Sequence, residues 1–283
     1  VKTLQDIIKT LSDYWGDKGC VVAQPYDVEK GAGTFNPMTF LKLFDKGPWR
    51  TAYVEPARRP QDGRYGDNPF RLYKHLQFQV ILKPAPADSR LLYLKSLSRI
   101  GIDVKKHDIR FLEDNWESPS LGAWGRGWEV RCDGLEITQF TYFQQAGGIE
   151  LEDVPVELTY GLERIAMFLQ KKKSVYDIDW SETVKYGTLR KEEERQFSVY
   201  YFEKASVEGL RKVCDFYLGE LEMLLENKLP LPAYDCLLNF SHIFNVIDAR
   251  GGIDHTTRAD MIKQMRGYAN RIALMYKEMR EQS

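Results

Sequence analysis

The segment Thr159-Tyr160-Gly161-Leu162-Glu163-Arg164-Ile165 sets an arginine in the first turn of a predicted helix, directly after a glycine-bearing bend. A helix N-terminus already presents unpaired N–H groups and a partial positive charge, so a guanidinium there is repelled unless an anion lies in front of it. Upstream, Glu157 lies in the extended run Val154-Pro155-Val156-Glu157-Leu158-Thr159. A carboxylate and a guanidinium on two sides of one pocket suit an amino acid lying beside a nucleotide phosphate.

A second group of cations precedes them. Arg50, Arg58, Arg59, Arg64, Arg71, Lys74 and His75 face only Glu55, Asp62 and Asp67 over the same stretch. Pro60-Gln61-Asp62-Gly63-Arg64-Tyr65-Gly66-Asp67-Asn68-Pro69 between them is rich in turn formers, which predicts a long loop joining two strands. Arginines on such a loop make a triphosphate clamp, because the guanidinium fork binds two phosphate oxygens at once.

The elements that must position these groups follow from periodicity. Leu4, Ile7, Ile8, Leu11 and Trp15 predict an amphipathic helix over 3–16, ended at Gly19. Extended runs follow at Cys20–Gln24, Arg50–Glu55 and Leu76–Leu82, then a helix near 88–100. Asp133-Gly134 is a favoured two-residue turn and predicts a hairpin over Gly127–Phe143. Counted outward from that turn, Cys132 faces Leu135, Arg131 faces Glu136, Val130 faces Ile137 and Glu129 faces Thr138, so Glu129, Arg131, Glu136 and Thr138 share a polar face read as a site floor. Beyond Trp180 the pattern is helical, over 204–228, 233–248 and 257–280. The reading is an α+β fold: a catalytic domain over 1–180, built on an antiparallel sheet with flanking helices, then a helical C-terminal domain over 181–283.

Composition narrows the classes. Forty basic residues against 41 acidic ones give a net charge of −1, too even for the chain alone to attract a polyanion at long range. Cysteines 20, 132, 214 and 236 and histidines 75, 107, 242 and 255 are scattered, so neither a disulfide framework nor a His-based metal centre is expected. No apolar run is long enough to span a bilayer and the first 20 residues do not read as a secretory signal, which points to a cytoplasmic protein.

A cationic loop between strands, a strand carrying Gln77-Phe78-Gln79 and a distal Gly-Leu-Glu-Arg opening a helix resemble the second and third signature motifs of class II aminoacyl-tRNA synthetases. Four further blocks, Tyr53–Pro60, Glu113–Pro119, Leu121–Gly125 and Gln139–Gln145, resemble the α-subunit family of bacterial heterotetrameric glycyl-tRNA synthetases, over essentially the whole chain. That resemblance implies a class II fold and ATP-dependent activation of glycine with Mg2+. It also implies an α homodimer within an α2β2 tetramer, whose larger β subunit grips tRNA(Gly).

It further implies residue roles. Arg164 holds the γ-phosphate side of a bent ATP, and Arg58 or Arg59, a choice left open, holds the α-phosphate. Arg71, Lys74 and His75 touch the phosphates or the adenine edge, and Phe78 stacks on adenine. Glu157 receives the substrate ammonium, and Glu136 and Gln139 contact Mg2+ or ATP, Glu136 as metal ligand. Thr159, Phe140, Tyr142, Trp116 and Trp124 supply walls that reject larger amino acids. The first motif is blurred, with Pro25 and Pro37 both eligible for its proline.

Plainer readings stand beside these. Arg164 would also be accounted for by pairing with Glu163 or Glu157, and Phe78 by a place in the core. Rival functions are a synthetase-like subunit without ATP, an ATP-dependent amide ligase that uses no tRNA, and a nucleic-acid-binding module.

Overall fold

A computed structural model describes residues 2–282. Helix α1 (Leu4–Asp17) opens on a capping box in which the Thr3 hydroxyl accepts from the Asp6 N–H and the Asp6 carboxylate accepts from the Thr3 N–H. A nine-stranded sheet follows: β1 (Val21–Val22), β2 (Trp49–Arg58), β3 (Lys74–Lys83), β4 (Ile109–Glu113), β5 (Trp116–Ser118), β6 (Ala123–Cys132), β7 (Leu135–Ala146), β8 (Ile149–Glu150) and β9 (Val156–Gly161). Its spatial order is β1-β2-β3-β9-β7-β6-β4, with β5 beside β6 and β8 beside β7. The β1–β2 pair is parallel and the other ladders are antiparallel.

Alternation along the strands gives the sheet two unlike faces. Leu76, Phe78, Val80 and Leu82 of β3, Phe140 of β7 and Val156, Leu158 and Tyr160 of β9 pack against α1, α2 (Ser89–Ile100) and α3 (Leu162–Gln170) in one core. Ile81 and Phe143 point the other way, into a second core. There they meet Phe40, Leu41 and Phe44 and the helices α5 (Val207–Glu226), α6 (Pro230–Ala249) and α7 (His255–Glu281). The C-terminal helices therefore cover one end of the second face, and its remainder is polar and open.

The structure corrects the hairpin register. Cys132 pairs with Leu135 and Arg131 with Glu136 as expected, but Val130 pairs with Thr138 and Glu129 with Gln139. A β-bulge at Ile137 shifts the ladder by one residue. Thr138 is among the residues lining the cleft on the open face, but its hydroxyl accepts from the Tyr93 hydroxyl at 2.8 Å. Glu136 and Gln139, of opposite parity, are consequently both delivered to the open face.

One helix is absent from the periodicity reading. Helix α4 (Tyr186–Val199) continues into a π-helical turn at Tyr200–Lys204 and carries few apolar residues, with Glu194 and Ser198 buried instead. Glu194 accepts from the backbone N–H of Arg64 at 2.8 Å and of Tyr73 at 2.9 Å, and Ser198 Oγ accepts from Tyr65 N–H at 2.9 Å. This polar helix pins the cationic loop.

Candidate active site

A cleft of about 630 Å3 opens on the polar face. The third motif works as its chemistry requires: β9 runs out at Gly161, α3 begins at Leu162, and Arg164 lies in its first turn. The anion in front of it is Glu136, whose Oε2 lies 2.5 Å from Arg164 Nη1. Neither Glu163 nor Glu157 is that partner. With 42% and 43% of the two side chains exposed, the pair is open to solvent and exchangeable for a phosphate oxygen. Glu163 turns inward, accepting from Leu76 N–H at 2.8 Å and the Tyr186 hydroxyl at 2.9 Å, and burial pushes its carboxyl up to about 7.

The two adjacent arginines separate. Arg59 lines the cleft, with its Nε donating to Gly31 O at 2.9 Å. Arg58 does not line it, and is paired with Glu29 at 3.1 Å and stacked over the Phe197 ring at 5.3 Å. Arg71 lines the cleft beside Asp62, 3.5 Å away. Lys74 does not line it, because alternation along β3 sends its amine to Glu193 on α4.

Phe78 is corrected in the same way. It is fully buried on the helix side, edge-on to Tyr160, while His75 and Gln77 of the same strand line the cleft. The aromatic rings that do line the cleft are Phe70, 54% exposed on the cationic loop, and Trp116. Phe140 and Tyr142 belong to the helix-side aromatic cluster with Tyr93 and Trp128, and Trp124 is an exposed residue that does not line the cleft. Thr159, Trp116 and Gln139 do line it, the last donating to Asp114 O at 2.9 Å.

His75 is held in one state by a relay. Gly33 N–H donates to Gln77 Oε1 at 2.8 Å, which orients the amide so that its Nε2 faces His75 Nε2 at 3.3 Å. An amide nitrogen only donates, so His75 Nε2 is unprotonated and the ring proton sits on Nδ1. Burial and the guanidinium groups of Arg59 and Arg164 drive the imidazole down to about 3. It is a neutral donor among cations.

Glu157, 1% exposed, does not line the cleft itself but lies behind the cleft residue Thr34. The Thr34 hydroxyl donates to its Oε1 at 2.7 Å, and the Gln79 amide donates to the same oxygen. Gln79 in turn accepts from Thr159 Oγ1 at 2.8 Å, which fixes its orientation. Burial outweighs both hydrogen bonds and pushes the carboxyl up to about 8. Glu157 is therefore a protonated acid at neutral pH until a cation reaches it.

Thr34, Phe70, Gln77 and Gln79 escaped the sequence reading. The signal for the glutamines was present: once Gln77-Phe78-Gln79 is read as strand, alternation places both amides opposite the phenylalanine. Thr34 sits in a short 3-10 turn (Gly33–Phe35) far from any motif, and only the fold brings it to Glu157.

His107, Cys132 and Asp133 come together at the hairpin turn, with donor atoms within 4.8 Å of one another. His107 pairs with Asp133 at 2.8 Å, and burial pushes the Cys132 thiol up to about 12. In the cleft, Glu136 offers an exposed hard oxygen donor, the kind Mg2+ uses together with substrate phosphates.

Residues 4–281 match the glycyl-tRNA synthetase alpha subunit family. The chain is 56% identical over 280 residues to the glycine–tRNA ligase alpha subunit of Coprothermobacter proteolyticus, covering 99% of this chain and 96% of that protein. Two solved structures of pyrrolysyl-tRNA synthetase from Desulfitobacterium hafniense are more distantly similar. They superpose with TM-scores of 0.47 and 0.45 at 14% identity, each over 65% of this chain and over 73% and 75% of theirs. With an arginine-lined cleft above a buried carboxyl and a family match over nearly its whole length, the chain belongs to the glycyl-tRNA synthetase alpha subunit family.

Proposed function

We propose that this chain activates glycine with ATP and, together with a β subunit, transfers the glycyl group to the 3′ end of tRNA(Gly). The observation that carries the reading is that Arg59, His75, Arg71 and Arg164 ring a single cleft whose floor lies over Glu157, through Thr34, Gln79 and Thr159. The glycine ammonium binds Glu157 and displaces its proton. Cleft walls such as Thr159 and Trp116 exclude larger side chains, so steric exclusion supplies the selectivity.

In the first step a glycine carboxylate oxygen attacks the α-phosphorus, the bond to the β-bridging oxygen breaks, and pyrophosphate leaves with the electron pair. Arg59 neutralises charge at the α-phosphate, and Arg164 gives up Glu136 to hold the γ-phosphate side. His75 donates through Nδ1 without adding charge, and Phe70 offers its exposed face to the adenine ring. No side-chain nucleophile is needed, since the work is positioning and electrostatic stabilisation. Glu136 would hold a Mg2+ ion, which would supply further charge neutralisation at the phosphates. In the second step a terminal ribose hydroxyl oxygen bonds to the glycyl carbonyl carbon, the carbonyl–phosphate bond breaks, AMP leaves, and the hydroxyl proton passes to AMP or water.

We further read residues 1–180 as the catalytic domain and 181–283 as a helical domain that contributes subunit contacts in a cytoplasmic α2β2 assembly. No helix among the described residues is long and apolar enough to cross a membrane. The even net charge of −1 fits a division of labour in which β grips the tRNA.

The test is glycine-dependent exchange of pyrophosphate into ATP. The isolated chain should support exchange and charge tRNA poorly until β is added, and Arg164→Ala should slow exchange about 10²–10³-fold. Exchange that is absent in the wild type, or indifferent to Arg164, overturns the reading.

A further inference from the structure

The segment Lys30-Gly31-Ala32-Gly33-Thr34 runs along the cleft, which Ala32 and Thr34 line, and its atoms reach both substrate positions. Gly31 O accepts from Arg59 Nε at 2.9 Å, on the side of the α-phosphate. Gly33 N–H orients Gln77 and, through it, His75. The Thr34 hydroxyl donates to Glu157 at 2.7 Å, on the side of the ammonium. One short strap of backbone therefore bonds to the groups on either side of the reacting centre.

A buried ion pair anchors this strap. Lys30 Nζ lies 3.0 Å from Glu55 Oε1, with 2% and 0% of the two side chains exposed. Lys30 also donates to Tyr26 O at 2.9 Å and Val28 O at 2.5 Å. Glu55 accepts from Tyr26 N–H at 3.2 Å and from the Asn36 amide at 2.6 Å, so its carboxylate ties together the chain before and after the strap. Within the strap, Lys30 O accepts from Arg58 N–H at 2.8 Å and Gly33 O from the Tyr53 hydroxyl at 2.9 Å. Neither Lys30 nor Glu55 lines the cleft. A buried ion pair contributes little net stability against its desolvation, and what it supplies is a single fixed arrangement.

Glycine alters one contact of the strap. When its ammonium converts Glu157 to a carboxylate, the Thr34 hydrogen bond becomes charge-assisted and shorter. That holds in place the backbone that presents Gly31 O to Arg59 and Gly33 N–H to Gln77. Resting on the function proposed above, we propose that the strap over residues 30–34, fixed by Lys30 and Glu55 as positioning residues, couples the two substrate positions so that glycine and ATP strengthen each other's binding. The coupling is reciprocal, since each ligand must change the affinity of the other by the same factor.

The experiment is calorimetry on the complete enzyme, this chain with its β subunit, using glycine and an ATP analogue whose α,β-bridge is a methylene and cannot react. The quantity read is the ratio of analogue affinities with saturating glycine and with none. Lys30→Met combined with Glu55→Gln removes both charges together, which avoids stranding one in the interior. Thr34→Val cuts the link to Glu157 with the anchor intact, and Thr34→Ser keeps the hydroxyl.

The wild type and Thr34→Ser should show a ratio of at least about fivefold. The double variant and Thr34→Val should show a ratio near one, with the analogue alone binding within about threefold of wild type in the double variant. A general loss of stability would weaken both measurements equally and leave the ratio unchanged. The Thr34 pair decides the matter if the double variant does not fold. A wild-type ratio near one, a Thr34→Val enzyme that keeps the wild-type ratio, or a folded double variant that keeps it would each overturn the proposal. Failure of the reading on which it rests looks different, since the wild type would then bind neither glycine nor the analogue.

Discussion

Of the adjacent Arg58 and Arg59, Arg59 alone lines the cleft that holds Arg164, while both line a neighbouring cleft. The end of β2 directs Arg58 to Glu29 and the Phe197 ring, while Arg59 enters the cleft with its Nε on Gly31 O. Of the two, it is Arg59, just past the end of β2, that reaches the cleft shared with Arg164.

The two arginines should therefore fail differently. Arg59→Ala should reduce glycine-dependent pyrophosphate exchange about 10²–10³-fold with little change in stability. Arg58→Ala should leave exchange within a few-fold and lower stability by about 1 kcal/mol through loss of the cation–π contact and a partly exposed ion pair. Chemical denaturation beside the exchange assay distinguishes them, and a larger exchange loss for Arg58→Ala would reverse the assignment.

Glu157 makes glycine binding pH-dependent. Its carboxyl is raised to about 8, so at pH 7 the ammonium must displace a proton. Glycine should bind more tightly as pH rises from 6 to 8, with proton release visible when calorimetry is repeated in buffers of different ionisation enthalpy. The sign for stability is the opposite. A folded value above the unfolded one means the native state holds the extra proton, so this contribution is complete below the unfolded carboxylate range and is lost as pH rises through about 8. Glu157→Gln should flatten both dependences, and pH-independent glycine affinity in the wild type would exclude a protonated Glu157.

His75 should behave as a neutral ring throughout the working range. With its pKa driven down to about 3, it should show no titration between pH 5.5 and 8, and nitrogen NMR should report the proton on Nδ1. A depressed value contributes stability that is present above the ordinary histidine range and lost as pH falls toward 3. Gln77→Leu removes the donor to Nε2 and should mix the two tautomers. A ring that is cationic at pH 6 would refute the relay.

Gly127 tests the floor of the cleft. A Cβ there would lie 2.5 Å from Asp114 O and 2.8 Å from Gln139 Nε2, and the first of these is backbone that cannot swing aside. Gly127→Ala should cost about 1–3 kcal/mol on denaturation and displace Gln139 from Asp114. Gly134→Ala offers open space for its Cβ but a φ of +87°, so its cost is one of backbone strain at the turn and should leave exchange intact.

The sequence by itself determined most of the helices, the central hairpin and the third motif. Apolar spacing located α1, α2, α5, α6 and α7, Asp133-Gly134 located the hairpin, and Gly161 followed by Leu-Glu-Arg placed Arg164 in a first helical turn, because these depend on contacts only a few residues apart. It also contained, unread, the parity that sends Gln77 and Gln79 to one face and Phe78 to the other. Helix α4 gave no such signal, since it buries Glu194 and Ser198 against loop N–H groups instead of an apolar stripe.

Only the tertiary structure decided the rest. The bulge at Ile137 that turns Glu136 and Gln139 to the same face, the separation of Arg58 from Arg59, and the arrival of Thr34 at Glu157 across 123 residues all depend on which strand or loop lies next to which. Periodicity reports whether a residue is turned toward apolar or polar surroundings, because burial repeats with the local backbone. It carries no record of the distant partner, and the charge state of Glu157 or His75 is set by those partners and by the water they exclude.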